Sequence, residues 1–439
     1  MDFTRRDLMR TTAGLAAGAA LGGKLLGPTG ARAQSDLSFK PEEGASLRVL
    51  RWSPFVKGDE EQWLALTKKF SEQTGVQVRV DKESWEDIRP KAAVAANVGS
   101  GPDIMLVWFD DPHQYPDKLL DVTDLADYLG GKYGGWYDGM ADYARRDGKF
   151  IGLPLATIGN AIVYRESWVK EAGWSEFPTD TASFLELLKA LQKNGHPGGF
   201  THGHGVGDGN NYAHWLLWSH GGQMVDAGGK VVLDSAETMK SIEYAMELYK
   251  TFIPGTESWL DVNNNRAFLA GELSVIANGI SAYYTPKNDP AQAELAADIR
   301  TCPLPIGPVG QSVELYQVTS AVIFAHTPYP NAAKEYLRFM YEEPQMQSWI
   351  TASSAYCCQP LKAYENNPIW SSDRNYAPYA KASATLRPNG YAGPLGYASA
   401  GVMADYVLVD MYAEAVTGRS SPKEAIERAV KRANRYYSI

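Results

Sequence analysis

The chain has 439 residues and a formal net charge of −9, with 42 Lys and Arg against 51 Asp and Glu; it lacks the basic excess that would grip a nucleic-acid backbone. This length suggests two or three domain-sized units with large cores, and no segment after residue 33 approaches the length of a membrane span. Its 12 Trp and 25 Tyr carry flat apolar faces with polar edges, which suit amphipathic plates such as sugar rings, although most of them are expected in the core.

At the start, Arg5 and Arg6 precede a Gly/Ala-rich apolar run from Ala13 to Leu26, and Ala31-Arg32-Ala33 follows as a small-x-small box. That order predicts a twin-arginine export signal cleaved near Ala33 and a periplasmic mature protein. Lys24 and several glycines interrupt the run too often for it to span a bilayer.

Regular structure is predicted from residue 47. Leu47 to Leu50 reads as a strand. Asp59 with Gln62 reads as a capping box opening a helix, with Trp63, Leu66 and Phe70 on one face and Gly75 at its end. Val76, Val78 and Val80 alternate as a second strand, and residues 104–109 form an unbroken apolar run, the mark of a strand covered on both faces. Strands alternating with helices predict an α/β architecture. Later helices carry Phe184, Leu187, Leu188 and Leu191 before Gly195; an Asp234/Glu237 box before Met239 and Ile242; and Ser421-Pro422 with Glu424 before Ala425 and Ile426. Residues 196–209 and 386–401 read as irregular Gly-rich tracts.

Cys302, Cys357 and Cys358 leave at least one thiol unpaired; a vicinal disulfide, a bridge to Cys302 and plain burial all remain open. Five of the seven histidines lie between His196 and His220. His202 and His204 with Asp208 nearby hint at a metal, but no further ligand set is visible and the surrounding glycines read as a loop, so no metal or cofactor is expected.

Several motifs in one order resemble the extracellular solute-binding proteins of ABC importers, in the branch that includes maltose-binding proteins. They are Lys68 to Val78 (KKFSEQTGVQV), Gly101-Pro102-Asp103-Ile104, Gly148 to Pro154 followed by Ile162 to Glu166, Phe268 to Leu273, Leu304-Pro305 with Gly307, and Asn331 to Leu337. The resemblance implies a two-lobe α/β clamp, each lobe a sheet flanked by helices, joined by three hinge crossings. Lobe I would comprise residues 46–156 and 304–340, and lobe II residues 157–303 and 341–439. It implies a monomer that carries a sugar or polyol to a membrane permease, with no bond broken.

Open α/β sheets bind ligands beyond the carboxyl ends of their strands. That rule selects Trp52, Phe55 and Lys57 after the first strand, and Trp108 and Asp110 after the buried one. At positions where the family contacts its ligand, the resemblance adds Asn160, Asn210, Asn211, Tyr212, Trp215, Asn278, Ser281, Tyr283 and Tyr284; Tyr391 and Tyr397, in the Gly/Pro-rich tract, are candidates for closing the cleft from the C-terminal side. Relatives often carry a carboxylate where this chain has Asn210. A glycerol-phosphate-type cargo would call for convergent basic groups, and among these positions only Lys57 is basic. The rival class is a secreted glycoside hydrolase with two facing carboxylates, for which no local motif is present.

Overall fold

The computed structural model describes residues 37–438; the export signal expected over residues 1–33 lies outside them. The alternating stretch after residue 45 forms strand β1 (Ser46–Trp52), with Leu47 and Val49 fully buried. Helix α1 (Lys57–Thr74) turns Trp63, Leu66 and Phe70 inward, and Gly75 ends it at φ 77°, a left-handed conformation that glycine adopts without a Cβ clash. The helix opens at Lys57, before Asp59, so the expected Asp59/Gln62 box does not form. Asp59 is buried instead. Its carboxylate accepts from Arg51 Nη2 at 2.5 Å, Trp52 Nε1 at 3.0 Å and Trp349 Nε1 at 2.8 Å.

Strands β2 (Gln77–Glu83) and β3 (Ile104–Trp108) flank β1 in parallel, and every residue of β3 is buried. After β4 (Leu153–Ile158) the chain passes through Gly159 and Asn160 into β5 (Ala161–Arg165). Helices α2 (Asp208–Ser219) and α3 (Ala236–Tyr249) follow. Ser235, not Asp234, caps α3, accepting from Thr238 N. Next come β6 (Val275–Asn278), α4 (Ser281–Lys287) and β7 (Ile299–Cys302). The chain then crosses back to β8 (Gln317–Ile323), α5 (Glu343–Ala352) and β9 (Cys357–Cys358). It finishes in α6 (Tyr397–Ala404), α7 (Val407–Val416) and α8 (Pro422–Tyr437). The Ser421/Glu424 capping box of α8 forms as expected.

Among the described residues, six strands form one sheet in the order β9-β4-β8-β3-β1-β2, and β6-β5-β7 form a second. In the large sheet β8 runs antiparallel to β3 and β4, pairing Thr319 with Trp108 and Gln317 with Ile158. The carboxyl ends of β1 to β4 and the amino ends of β8 and β9 therefore share one edge, and the cleft opens there.

The chain crosses between the sheets at 159–160, at 303–316 and after β9, where Asn375 Oδ1 accepts from Thr301 N beside β7. One expected boundary moves. Residues 341–361, assigned to the second lobe from sequence, pack on the large sheet: Trp349 meets Trp63 edge-on at 5.4 Å, and β9 pairs with β4. All three cysteines are free thiols, so neither disulfide is made.

Candidate functional site

A pocket between the sheets is nearly closed, with room for about one water molecule. On the large-sheet side its wall is aromatic. Phe55 follows β1, Trp85 follows β2, and Tyr356 precedes β9. Phe55 meets Trp85 edge-on with ring centroids 5.2 Å apart, and Tyr356 lies 6.3 Å from Phe55 and 6.5 Å from Trp85. Trp85 is held from beneath, tilted over Trp108 at 4.2 Å. Gln317, at the start of β8, completes this side.

The opposite wall is polar and built on the first turn of α2. Asp261 accepts from the backbone N–H groups of Val206, Gly207 and Asp208 at 2.7, 3.0 and 2.7 Å. It thus places a carboxylate at the positive end of the helix. Asp208 accepts from Asn264 Nδ2 at 2.7 Å. Asn264 and Asn265 both accept from Asn278 Nδ2, and Asn265 Nδ2 donates to Ser281 Oγ at 3.0 Å. This asparagine chain sets the cleft-facing end of β6. Burial pushes the carboxyls of Asp208 and Asp261 up from the usual range; the charge of Asp261 raises Asp208 further, and that of Glu86 raises Asp261. Burial raises the Tyr356 phenol, and the charges of Asp261 and Asp208 across the cleft add a smaller push in the same direction.

Three buried polar atoms at the pocket have no protein partner: Trp85 Nε1, Asn211 Oδ1 and Gln317 Nε2. Such atoms are costly unless a ligand or water satisfies them. Gly207 permits the close approach of the walls, because a Cβ there would stand 2.4 Å from Gln317 Oε1.

Of the residues expected at the site, Phe55, Asn211, Asn278 and Ser281 line this pocket. The others go elsewhere. Trp52 and Trp108 are core supports under Trp85, with Trp108 Nε1 bound to Trp85 O at 3.1 Å. Lys57 is exposed and pairs with Glu61 one helical turn on. Asp110 is buried behind the loop after β3, accepting from Asn389 Nδ2 and Ser399 Oγ. Asn160 lines a different cavity together with Glu314 and Cys302. Asn210 bonds back to Val206 O within its own helix start. Tyr212 is packed among Phe200, His202 and Trp215. Trp215 Nε1 donates to Pro305 O at 3.1 Å. Tyr283 donates to Asp373. Tyr284 Oη accepts from Gly58 N at 3.3 Å, a contact between lobes outside the pocket. Tyr391 stacks under Arg387, and Tyr397 is 54 % exposed on the surface. His202 is buried beside Tyr212, whereas His204 stacks on Tyr406 and meets Asp410, so the two histidines part.

Sequence reasoning missed Trp85, Asp208 as a pocket residue, Asp261, Gln317 and Tyr356. The strand-end rule reaches Trp85 once it is extended to the loop after β2. Asp261 had no local signal, since its partners lie more than fifty positions earlier.

Two unequal lobes hinged by short crossings, with a polar and an aromatic wall facing across the gap, define a solute-binding clamp. The family model for bacterial extracellular solute-binding proteins matches residues 65–378. The chain belongs to that family, which works outside the cytoplasm and binds rather than transforms its solute. A putative ABC transporter periplasmic-binding protein of Escherichia coli, YcjN, is 22% identical over 316 residues, 68% of each chain. Maltose-bound MalE3 of T. maritima superposes with a TM-score of 0.77 at 18% identity, covering 89% of this chain and 99% of that one. A solute-binding protein of Agrobacterium radiobacter K84 in complex with ribitol gives 0.76 at 16% identity, covering 90% and 100%. At these identities the structural likeness establishes the fold.

Proposed function

We propose that the protein captures a sugar or related polyhydroxylated solute in the periplasm and delivers it to the permease of an ABC importer. The observation that carries this reading is the pairing of an aromatic wall, Phe55, Trp85 and Tyr356, with an amide- and carboxylate-bearing wall, Asp208, Asn211, Asn278 and Ser281. Ring faces suit the C–H faces of a sugar, and the polar tips suit its hydroxyls. The maltose and ribitol named for two structural relatives are solutes of this kind. The solute makes contacts with both lobes only when they close, which is what drives closure, and the closed form is what a permease would read.

A phosphate-bearing cargo fits poorly, because no Lys or Arg lines the pocket and two carboxylates do. Hydrolysis fits poorly too. Asp208 and Asp261 share one helix terminus on one wall, through Asp208 N to Asp261 Oδ1, rather than flanking a scissile bond. The order Arg5-Arg6, apolar run and Ala31-Arg32-Ala33 supports export by the twin-arginine route.

The test is a thermal-shift screen over mono- and disaccharides, polyols and their phosphates, followed by solution scattering. A stabilising solute that compacts the protein and is recovered unchanged is the expected result. A compound consumed in the tube, or stabilisation without compaction, would refute the reading.

A further inference from the structure

We infer that the solute carries a protonated amine, and that the cleft is shaped for an ammonium-bearing sugar or polyol with Asp208 as its charge partner. This rests on the polyhydroxylated reading above and adds charge to it. The pocket lining holds the carboxylates of Asp208 and Asp261 and no Lys, Arg or His side chain. The basic groups nearby are engaged elsewhere: Arg51 with Asp59 at 2.5 Å, Arg89 with Asp111 at 2.7 Å, Lys57 with Glu61 at 2.9 Å and His204 with Asp410 at 2.8 Å. Among the described residues no cation pairs with Asp208 or Asp261.

The two carboxylates are not equivalent. Asp261 is met by three backbone N–H groups at the start of α2, so the helix terminus compensates its charge. Asp208 receives one side-chain amide, from Asn264, and stays partly open to the pocket. Glu86 adds a further negative charge near Asp261. Burial raises both carboxyls, so beside a neutral sugar Asp208 would keep a proton, whereas a cation in the pocket favours its ionised form and removes the cost of burying the charge alone. An ammonium group would pair with Asp208 and sit against ring faces that attract cations.

The unpartnered atoms point the same way. Asn211 Oδ1 is a buried acceptor without a donor, and an ammonium or hydroxyl supplies one. Trp85 Nε1 and Gln317 Nε2 are buried donors without acceptors, which hydroxyl oxygens satisfy. The site thus asks for positive charge and hydroxyl oxygens in one small molecule.

The experiment measures binding to the purified protein by calorimetry with matched probes. These are glucosamine, galactosamine and mannosamine, each against its parent hexose and its N-acetyl form; glucamine against sorbitol; putrescine; and calcium chloride. An amine is expected to bind at least about 30-fold more tightly than its neutral partners, and Asp208→Asn to erase most of that preference. Asn can still accept from Asn264, so the variant keeps its fold, checked by an unchanged melting profile without ligand. Neutral sugars binding as well as amines would overturn this inference and leave the polyhydroxylated reading standing. Tight binding of putrescine with no hydroxylated compound bound would overturn that reading. Stabilisation by calcium alone would overturn the amine assignment, and no binding by any probe would count against both.

Discussion

Asn389 Nδ2 donates to Asp110 Oδ2 at 3.0 Å, tying the loop after β3 to a residue 279 positions further along the chain. Ser399 Oγ donates to the same oxygen, and Gln114 Nε2 reaches Ala400 O at 3.4 Å. On the other side of this tract, Ala392 N donates to Val225 O and Tyr391 meets Trp218 edge-on. Residues 386–404 therefore bridge the two lobes beside the hinge, and Asp110 is the anchor on the large-sheet side.

Asp110→Ala should lower stability by about 1–3 kcal/mol, because two buried donors lose their acceptor. Solute affinity should stay within about threefold, since Asp110 does not line the pocket. Chemical denaturation and calorimetry on one preparation separate the two effects. A loss of binding without loss of stability would return Asp110 to the ligand.

Trp85 and Trp108 lie 4.2 Å apart but do different work. Trp85→Ala removes a pocket face, and solute affinity should fall roughly tenfold or more. Trp108 is fully buried, so Trp108→Ala opens a cavity and should cost about 3–5 kcal/mol of stability. Equal effects of the two variants on affinity would contradict this division.

Gly207 and Gln317 stand close together on the two walls of the pocket. Gly207→Ala places a Cβ 2.4 Å from Gln317 Oε1, and overpacking of this kind costs about 1–3 kcal/mol. The variant should bind solute about tenfold more weakly and compact less in solution scattering. Adding Gln317→Ala should restore compaction but not full affinity, since Gln317 itself faces the pocket. If Gly207→Ala closes normally, the walls do not meet there when solute binds.

The strands and most helices were legible because their signals are local. The unbroken apolar run at Ile104 to Trp108 names a doubly covered strand, and Ser421, Pro422 and Glu424 sit next to the helix they cap. The pocket was only half legible. Phe55 lies just past β1, where the rule for α/β sheets looks, and Asn278, the last residue of β6, came from the family resemblance. Asp261 acts through backbone groups supplied by another segment, and Tyr356 faces the pocket because β9 joins the large sheet, a pairing with nothing local to mark it. Trp52 and Asp110 show the converse error: a residue next to the cleft in sequence can be turned into the core by a partner from far along the chain.

Glu314 offers a pH test independent of the ligand. It lines the cavity behind the hinge with Asn160 and Lys381, is 5 % exposed, and accepts from Ser312 Oγ and Tyr316 Oη. Burial pushes its carboxyl up from 4.5 to about 7. The folded state then holds this proton where the unfolded chain has lost it. Its contribution to stability is full below pH about 4.5 and is lost as pH rises through about 7. His202 and His214 work in the opposite sense, because burial lowers both to about 4, so the pH profile of the unaltered protein mixes the two. The comparison with Glu314→Gln isolates the carboxyl. The variant should match the parent at pH 4 and exceed it above pH 8 by up to about 3 kcal/mol, read as a divergence of denaturation midpoints. Parallel midpoints across that range would mean that Glu314 ionises in the folded protein without cost.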